Sequence, residues 1–346
     1  MVNGPRHYFV TGFPGFIAKR LVREILTHDA QAHLALLVQP HLAAAARRAI
    51  PDGDFHRCDV FMGDVADLHF GLLGRDWKAL VARTHAIFHL AATQSLSAPR
   101  PVAFRVNVEG TRQVLELATE APNLVRLNHF SSCLVSGKRT GVIPEGPVSG
   151  VPEFHNAYEE SKFIAERLVR ATMPRLGVTV YRPGTVVGDS RTGEVERFDG
   201  PYYQPLLASL AKAASRQVAQ AGWNVVPVDY VVKAAWTIST QPRSRGKTVH
   251  LVDPNPGAAP NQTFGTDGVR ERLRALVGQA RRSAGAGSSS SALYSCRETL
   301  SLLEGTDVHC PPLESYWQKL VDFAAQHLER ERARLEDPLD VGPALG

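Results

Sequence analysis

Apolar positions in the first half of the chain follow two alternating periods. Short apolar runs predict buried strands, and longer stretches with apolar residues three and four positions apart predict helices. The predicted strands cover residues 7–10, 33–38, 55–61, 86–90, 124–130 and 178–181, and the predicted helices cover 15–27, an alanine-rich stretch ending near residue 50, 102–118 and 157–171. This alternation predicts a doubly wound α/β fold, in which right-handed crossover helices join parallel strands and cover both faces of the sheet.

The alternation weakens after about residue 190, which predicts a smaller C-terminal part. Its predicted helices cover residues 204–214, 229–240, a stretch ending near residue 282, and 313–334, with a strand over 248–252. We expect a large domain over residues 5–190, to which parts of 224–252 return, and a cap over 191–223 and 253–335. Residues 284–291 read AGAGSSSS, a composition typical of a flexible low-complexity loop.

Charge and cysteine usage exclude several function classes. Lys and Arg number 39 against 34 Asp and Glu, and a net charge of +5 without a basic tract fits a phosphate-bearing ligand better than nucleic acid. The four cysteines are far apart in the sequence, which favours reduced thiols in a cytoplasmic protein and predicts no metal site. Every apolar stretch is interrupted before the ~18 residues that a membrane span needs.

A glycine-containing turn, TGFPGFIA at residues 11–18, joins the first strand to the first helix. Gly12 permits a tight turn, Gly15 lets the backbone approach a pyrophosphate at the helix N-terminus, and Ala18 is small enough for the helix to pack on the strand. The two glycines are three positions apart, one more than in GxGxxG. With a strand before and a helix after, the turn predicts a Rossmann-type dinucleotide-binding domain over residues 5–190.

The end of the second strand bears on which nucleotide is bound. An Asp or Glu there holds the ribose of NAD, but this chain has Gln39. Arg47 and Arg48 follow and could pair with a 2′-phosphate, although both could equally belong to a solvated helix face. We therefore predict NADP(H) in preference to NAD(H). Asp64 and Val65 follow the third strand, where they could meet the adenine.

Three groups at strand ends and on one helix predict catalysis. Tyr158 and Lys162 are one helical turn apart, and an ammonium beside a phenol lowers the phenol pKa, so that the tyrosine can protonate a carbonyl oxygen that is receiving hydride. Ser132 follows the fifth strand and could donate to the same oxygen. Pro183 and Gly184 end the sixth strand, where they allow the backbone to turn against a cofactor.

These motifs resemble the extended short-chain dehydrogenases/reductases, whose glycine pattern is TGxxGxxA. The resemblance rests on the turn at 11–18, HLAA at 89–92, NVEGT at 107–111, Ser132 and the Tyr158/Lys162 pair. RPGTVVGDSRTG at 182–193, VPVDYV at 226–231 and LEGT at 303–306 are similar to the fatty acyl-CoA reductase and thioester reductase branch. Gln39 departs from that branch, which commonly has Arg there. Adenylation and carrier domains, which feed such reductases, are absent from this sequence, so a freestanding enzyme would take a diffusible substrate or dock on a separate carrier protein.

The resemblance implies roles for individual residues. The pyrophosphate would contact Gly12, Phe13, Pro14, Gly15, Phe16 and Ile17, the adenine would contact Asp64 and Val65, Ala91 would line the cofactor, and Ser132, Tyr158 and Lys162 would be catalytic. It also implies a homodimer formed through the helices at 102–118 and 157–171. In the cap, Phe198, Tyr202, Tyr203 and Trp223 would either line an apolar substrate pocket or form the cap's own core.

The predicted function is that of an NADPH-dependent reductase. It would transfer hydride to the carbonyl of an acyl thioester, aldehyde or ketone, on an apolar acyl or secondary-metabolite substrate free, on CoA or on a carrier protein. Two alternatives remain open at this stage. One is a sugar-nucleotide epimerase or dehydratase with tightly bound NAD, and the other is a non-catalytic protein that senses NADP.

Overall fold

The computed structural model describes residues 5–93, 95–195, 224–255 and 292–336. Its centre is a seven-stranded sheet in which every pairing is parallel, in the order β10-β7-β5-β4-β1-β2-β3. These strands are β1 Arg6–Thr11, β2 Ala32–Val38, β3 Cys58–Met62, β4 Ala86–His89, β5 Arg126–Phe130, β7 Val178–Pro183 and β10 Lys247–Leu251. The predicted Rossmann-type α/β fold is confirmed.

Two pairs of short strands lie outside this sheet. Strand β6, Gly141–Ile143, pairs with β11, Ala292–Tyr294, and β8, Thr185–Val187, pairs with β9, Val225–Pro227. Each strand has three residues, too few for an apolar–polar alternation to be recognised in the sequence.

Nine helices lie within the described ranges. They are α1 Phe16–His28, α2 Ala43–Ala49, α3 Gly74–Arg83, α4 Arg100–Phe104, α5 Gly110–Glu120, α6 Ala157–Thr172, α7 Val228–Ser239, α8 Arg297–Leu303 and α9 Leu313–Glu336. A π-helical turn, Arg105–Glu109, joins α4 to α5, so the single helix predicted over 102–118 is composite. In the described part of the chain, no helix is both long and apolar enough to cross a bilayer.

The apolar residues of the helices form one core on each face of the sheet. Leu21 and Ile25 of α1 pack with Val231 and Ile238 of α7 on one face. On the other face the core contains residues of α3, α5 and α6, namely Trp77, Leu80, Val114, Leu117 and Val169. Both faces are therefore buried, as a parallel sheet requires.

One strand boundary and two helices differ from the sequence predictions. The strand predicted over 55–61 begins only at Cys58, because Phe55–Arg57 forms a 3₁₀ turn. Helices α3 and α8 were missed, and each buries only two or three side chains, which leaves a weak periodic signal. The helix predicted over 204–214, the helical stretch ending near residue 282, the loop at 284–291 and the four cap aromatics lie outside the described residues. The division into two domains stays a prediction.

Candidate active site

The glycine turn lies between β1 and α1 with very little free space. Gly12 has φ +84°, and a Cβ added to it would lie 2.8 Å from the main-chain nitrogen of Ala91. A Cβ on Gly15 would lie 2.7 Å from the carbonyl oxygen of Gly12, which already accepts a hydrogen bond from the Gly15 nitrogen at 2.8 Å. Helix α1 begins at Phe16, so its free main-chain N–H groups and its positive dipole end lie at this turn. The cradle fits a pyrophosphate.

The apolar side chains of the turn serve the core rather than a ligand. Phe13 is 2% exposed and belongs to the core cluster that α1 and α7 share, and Phe16 and Ile17 pack against that cluster. A nucleotide would therefore contact these residues mainly through the main chain. Arg20 of α1, which no sequence motif indicates, has its guanidinium 4.3 Å from the centroid of the Phe16 ring and 3.3 Å from Glu194.

Gln39 and Asp64, at the ends of β2 and β3, contact each other. The carboxamide nitrogen of Gln39 donates to Asp64 Oδ2 at 3.0 Å, and the main-chain nitrogen of Ala66 donates to Oδ1 at 2.9 Å. Burial works to raise the pKa of Asp64, but these hydrogen bonds and the charge of Arg105 lower it. Val65 is buried against Gly110, where an added Cβ would lie 2.9 Å from Val65. Asp64 is therefore a charged acceptor beside the predicted adenine position.

Arg47 and Arg48 lie in the last turn of α2, and both are exposed. Within the described ranges, neither arginine forms a hydrogen bond or ion pair with Gln39 or Asp64. Their predicted contact with a 2′-phosphate stays a prediction.

Helix α6 begins at a reciprocal cap that fixes the position of Tyr158. The side chain of Asn156 accepts from the Glu159 nitrogen at 3.0 Å, and the Glu159 carboxylate accepts from the His155 nitrogen at 2.9 Å. Tyr158 is buried, and its hydroxyl lies near Ser132, which lowers the pKa of the phenol. Ser132 itself caps the 3₁₀ turn after β5 by accepting from the Leu134 nitrogen at 3.2 Å. The structure thus brings the predicted serine and tyrosine together.

Lys162 is buried and donates to the main-chain carbonyl oxygen of Phe130 at 2.5 Å. Burial lowers its pKa to about 8, against the charge of Glu166. Burial also raises the pKa of Tyr158 to about 12, and the neighbouring Ser132 opposes that rise. Burial, rather than the ammonium one turn away, therefore dominates the pKa of the phenol, which corrects the expectation that Lys162 sets it.

A buried ion-pair network lies next to these residues and stabilises their positions. Glu166, one turn after Lys162, accepts from Ser131 Oγ at 2.7 Å, from Arg170 Nε at 2.7 Å and from Arg182 Nε at 2.9 Å. Burial works to raise the pKa of Glu166, but Arg182, Arg170 and Ser131 lower it to about 2. The network holds the strand end that carries Ser131 and Ser132 against helix α6.

Pro183 and Gly184 end β7 beside Asn224. Pro183 is buried, and a Cβ on Gly184 would lie 2.5 Å from the Asn224 carbonyl oxygen. The absence of a side chain at residue 184 is therefore explained by this contact within the chain itself. Ala91 lies across from the glycine turn, where its nitrogen donates to Thr11 Oγ1 at 3.1 Å.

One group of possible metal ligands lies elsewhere on the surface. His69, Glu116 and Glu120 bring their ligand atoms within 4.8 Å of one another. The Trp77 indole donates to Glu120 at 3.1 Å and stacks on the His69 ring at 4.3 Å, so these side chains already contribute to local packing.

The parallel sheet, the glycine turn and the Ser132, Tyr158 and Lys162 set define an extended short-chain dehydrogenase/reductase with a site for a nicotinamide cofactor. The profile of the male sterility protein family of NAD-binding domains matches residues 10–235, and the chain belongs to this family. The predicted resemblance to the thioester reductase branch is confirmed.

Curated relatives and solved structures agree with this assignment. The chain is 28% identical over 277 residues to glycine betaine reductase ATRR of Emericella nidulans, across 71% of this chain and 21% of that protein. It is 26% identical over 267 residues to aldehyde reductase lnbA of Aspergillus flavus, across 71% of this chain and 26% of that protein. The crystal structure of the terminal R domain from the myxalamid PKS-NRPS pathway superimposes with a TM-score of 0.80 at 24% identity, covering 95% of this chain and 93% of that one. The chain thus spans about a quarter of the length of these two curated relatives.

Proposed function

We propose that this chain is an NADPH-dependent reductase that acts on the carbonyl of an acyl thioester, aldehyde or ketone. The observation that carries the proposal is the buried hydroxyl pair of Ser132 and Tyr158, which lies one helical turn from Lys162 at the edge of the sheet where parallel strands end. NADPH, when bound, supplies the hydride that the carbonyl carbon accepts.

The chain's own residues would handle the carbonyl oxygen. Tyr158 is neutral throughout the physiological range because its pKa is about 12, so it holds the proton that the oxygen needs. Ser132 would donate a hydrogen bond to the same oxygen and share its developing charge. Lys162 would hold its ammonium beside both groups, and so favour the phenolate that remains after Tyr158 has given up its proton.

The proposed nucleotide contacts follow the cradle. Gly12 to Ile17 would bind the pyrophosphate through the main chain, Asp64 and Val65 would meet the adenine, and Ala91, Pro183 and Gly184 would line the nicotinamide side. NADP is favoured over NAD because β2 ends in the neutral Gln39 rather than an acid. Arg47 and Arg48 are the proposed partners of the 2′-phosphate.

The proposed substrate class follows from the relatives. Two relatives are a glycine betaine reductase and an aldehyde reductase, and both names support a carbonyl reductase. We infer an apolar acyl or secondary-metabolite substrate, presented on CoA or a carrier protein and bound by a cap formed from residues 191–223 and 253–335. A cytoplasmic location and a homodimer are part of the same proposal.

The test is the loss of NADPH absorbance with acyl-CoA, acyl-pantetheine, aldehyde and ketone substrates, with NADH in parallel. Wild-type protein should consume NADPH, and Tyr158→Phe should stop turnover while NADPH still binds in calorimetry. Tyr8→Phe is the matched control, since it removes a buried hydroxyl bonded to Asp29 at 2.7 Å. NADPH binding without turnover of any substrate would contradict the proposal, and tightly held NAD in the purified protein would favour an epimerase.

A further inference from the structure

A continuous chain of buried side-chain hydrogen bonds connects the glycine turn to the helix that carries Tyr158. Its members are Thr11, His89, Thr111, Asn107 and Ser161, each at most 2% exposed. They come from β1, β4, α5, the π-helical turn and α6. Resting on the function proposed above, we propose that His89 is a positioning residue that holds the nucleotide cradle and the Tyr158 helix in register.

The first half of this hydrogen-bond chain, from Thr11 to His89, positions the wall of the nucleotide cradle. The hydroxyl of Thr11 accepts from the main-chain nitrogens of Leu90 at 3.2 Å and Ala91 at 3.1 Å, and lies 2.8 Å from His89 Nδ1. Because both oxygen lone pairs are taken, the Thr11 proton points at Nδ1, which must accept it. The Ala91 nitrogen thus held is the atom that an added Cβ on Gly12 would meet at 2.8 Å.

The second half of the hydrogen-bond chain, from His89 to Ser161, reaches helix α6, which carries Tyr158. Thr111 donates to the Asn107 carbonyl at 2.6 Å, so it accepts from His89 Nε2–H at 3.0 Å. The Asn107 side-chain nitrogen donates to Ser161 Oγ at 2.9 Å, and Ser161 donates to the Tyr158 carbonyl oxygen at 2.9 Å. Asn107 lies in a π-helical turn, a rare element that is frequent at functional sites.

Both halves require the same neutral tautomer of His89, protonated on Nε2. Burial and the charge of Lys162 lower the His89 pKa to about 3, so the ring stays neutral at working pH. Each proton in the chain therefore has one consistent position. The hydrogen-bond chain therefore resists displacement of the glycine turn relative to helix α6. A displacement of ~1 Å between reacting groups can change a rate by about 10²-fold.

The structure supplies a matched control in His129. It is the register partner of His89 on the adjacent strand, it is equally buried, and the two ring centroids are 5.3 Å apart. Neither ring nitrogen of His129 has a hydrogen-bond partner among the described residues. His129→Phe therefore changes the size and polarity of an equally buried side chain without removing any bond of the hydrogen-bond chain.

The experiment measures NADPH affinity by calorimetry, and kcat and KM for the best carbonyl substrate, in four variants. His89→Phe breaks both bonds and should lower kcat and weaken NADPH binding, each about ten- to a hundredfold, whereas His129→Phe should change both less than about threefold. His89→Asn keeps an acceptor for Thr11 and should recover NADPH affinity more than kcat. His89→Gln keeps a donor to Thr111 and should recover kcat more than affinity.

A purely structural role predicts a different pattern. Activity and affinity would then follow the thermal midpoint in all four variants, without the opposite recoveries in the Asn and Gln variants, and that result would overturn the proposal. If His89→Phe does not fold, the Asn and Gln variants carry the test. If the wild-type protein binds NADPH without turnover, the proposed function is refuted but the role of His89 is not. The NADPH affinities of the variants would still test the hydrogen-bond chain.

Discussion

The ammonium of Lys162 lies 2.5 Å from the main-chain carbonyl oxygen of Phe130, the residue that ends β5 just before Ser131 and Ser132. This hydrogen bond anchors the catalytic helix to the strand end that supplies the serine hydroxyl. Burial lowers the Lys162 pKa to about 8 in the folded protein, from the ordinary value of 10.5. The ammonium charge that the proposed mechanism uses is therefore lost at moderately alkaline pH.

The first prediction is that kcat for carbonyl reduction falls as the pH rises through about 8. The free energy of unfolding should instead rise over part of this pH range. Between about pH 8 and 10.5 the unfolded chain binds the lysine proton that the folded chain has released, so the Lys162 contribution to the free energy of unfolding rises with pH. Rate measurements from pH 6 to 10, with urea unfolding at each pH, separate loss of charge from alkaline unfolding.

The control for this pH dependence is Lys162→Arg, because a guanidinium keeps its charge across the range. Its lower rate should show no decline near pH 8. A decline at the same pH in the arginine variant would assign the titration to another group.

The second prediction concerns the crowded side of the glycine turn. Gly12→Ala should weaken NADPH binding by about tenfold or more, because its Cβ would lie 2.8 Å from the Ala91 nitrogen that forms the cradle wall. Gly53→Ala is the matched control, since Gly53 has a similar φ of +90° and no atom within 4 Å of the added Cβ. Both variants bear the left-handed backbone strain of about 1–2 kcal/mol. Equal losses of affinity in calorimetry would show that strain, rather than crowding, is responsible.

The elements that the sequence predicts well are those whose signal is local. The β1–turn–α1 unit combines an apolar run, two glycines and a helical period within 23 residues, from Arg6 to His28. The Tyr158 and Lys162 pair lies on one helix, so a spacing of four suffices to place both on one face. Such features need no knowledge of how distant parts of the chain meet.

The features that the sequence left hidden depend on strand register. Thr11 and His89 are 78 positions apart and meet only because β1 and β4 pair with these two residues side by side. Gln39 and Asp64 lie just beyond the paired ends of β2 and β3, where Val38 is beside Met62, so their contact also depends on register. A change of one residue in either register would send the side chains to the opposite face, and no local pattern encodes that choice.

The third prediction concerns the choice of nucleotide. Gln39→Asp should weaken NADPH binding by about tenfold or more and leave NADH binding unchanged or tighter, because a second carboxylate beside Asp64 repels a 2′-phosphate. Gln39→Asn keeps the neutral amide and should preserve the preference. Calorimetry with both nucleotides at two salt concentrations checks this, since repulsion between exposed charges weakens with salt. Tighter binding of NADH than of NADPH by the wild type would contradict the basis of this prediction.

The fourth prediction compares two glutamates on helix α6. Glu166→Gln should lower the free energy of unfolding by about 3–5 kcal/mol, because it leaves the fully buried Arg182 without its carboxylate partner. Glu160, on the same helix, pairs instead with the exposed Arg100 of α4, so Glu160→Gln should change stability far less. The pH dependence should separate them too. The Glu166 pKa of about 2 lies below its ordinary 4.5, so its contribution is present above pH 4.5 and is lost as the pH falls through about 2. Urea unfolding between pH 3 and 7 should therefore show a shallower acid loss in Glu166→Gln than in the wild type, and parallel curves would show that the buried pair does not govern acid stability.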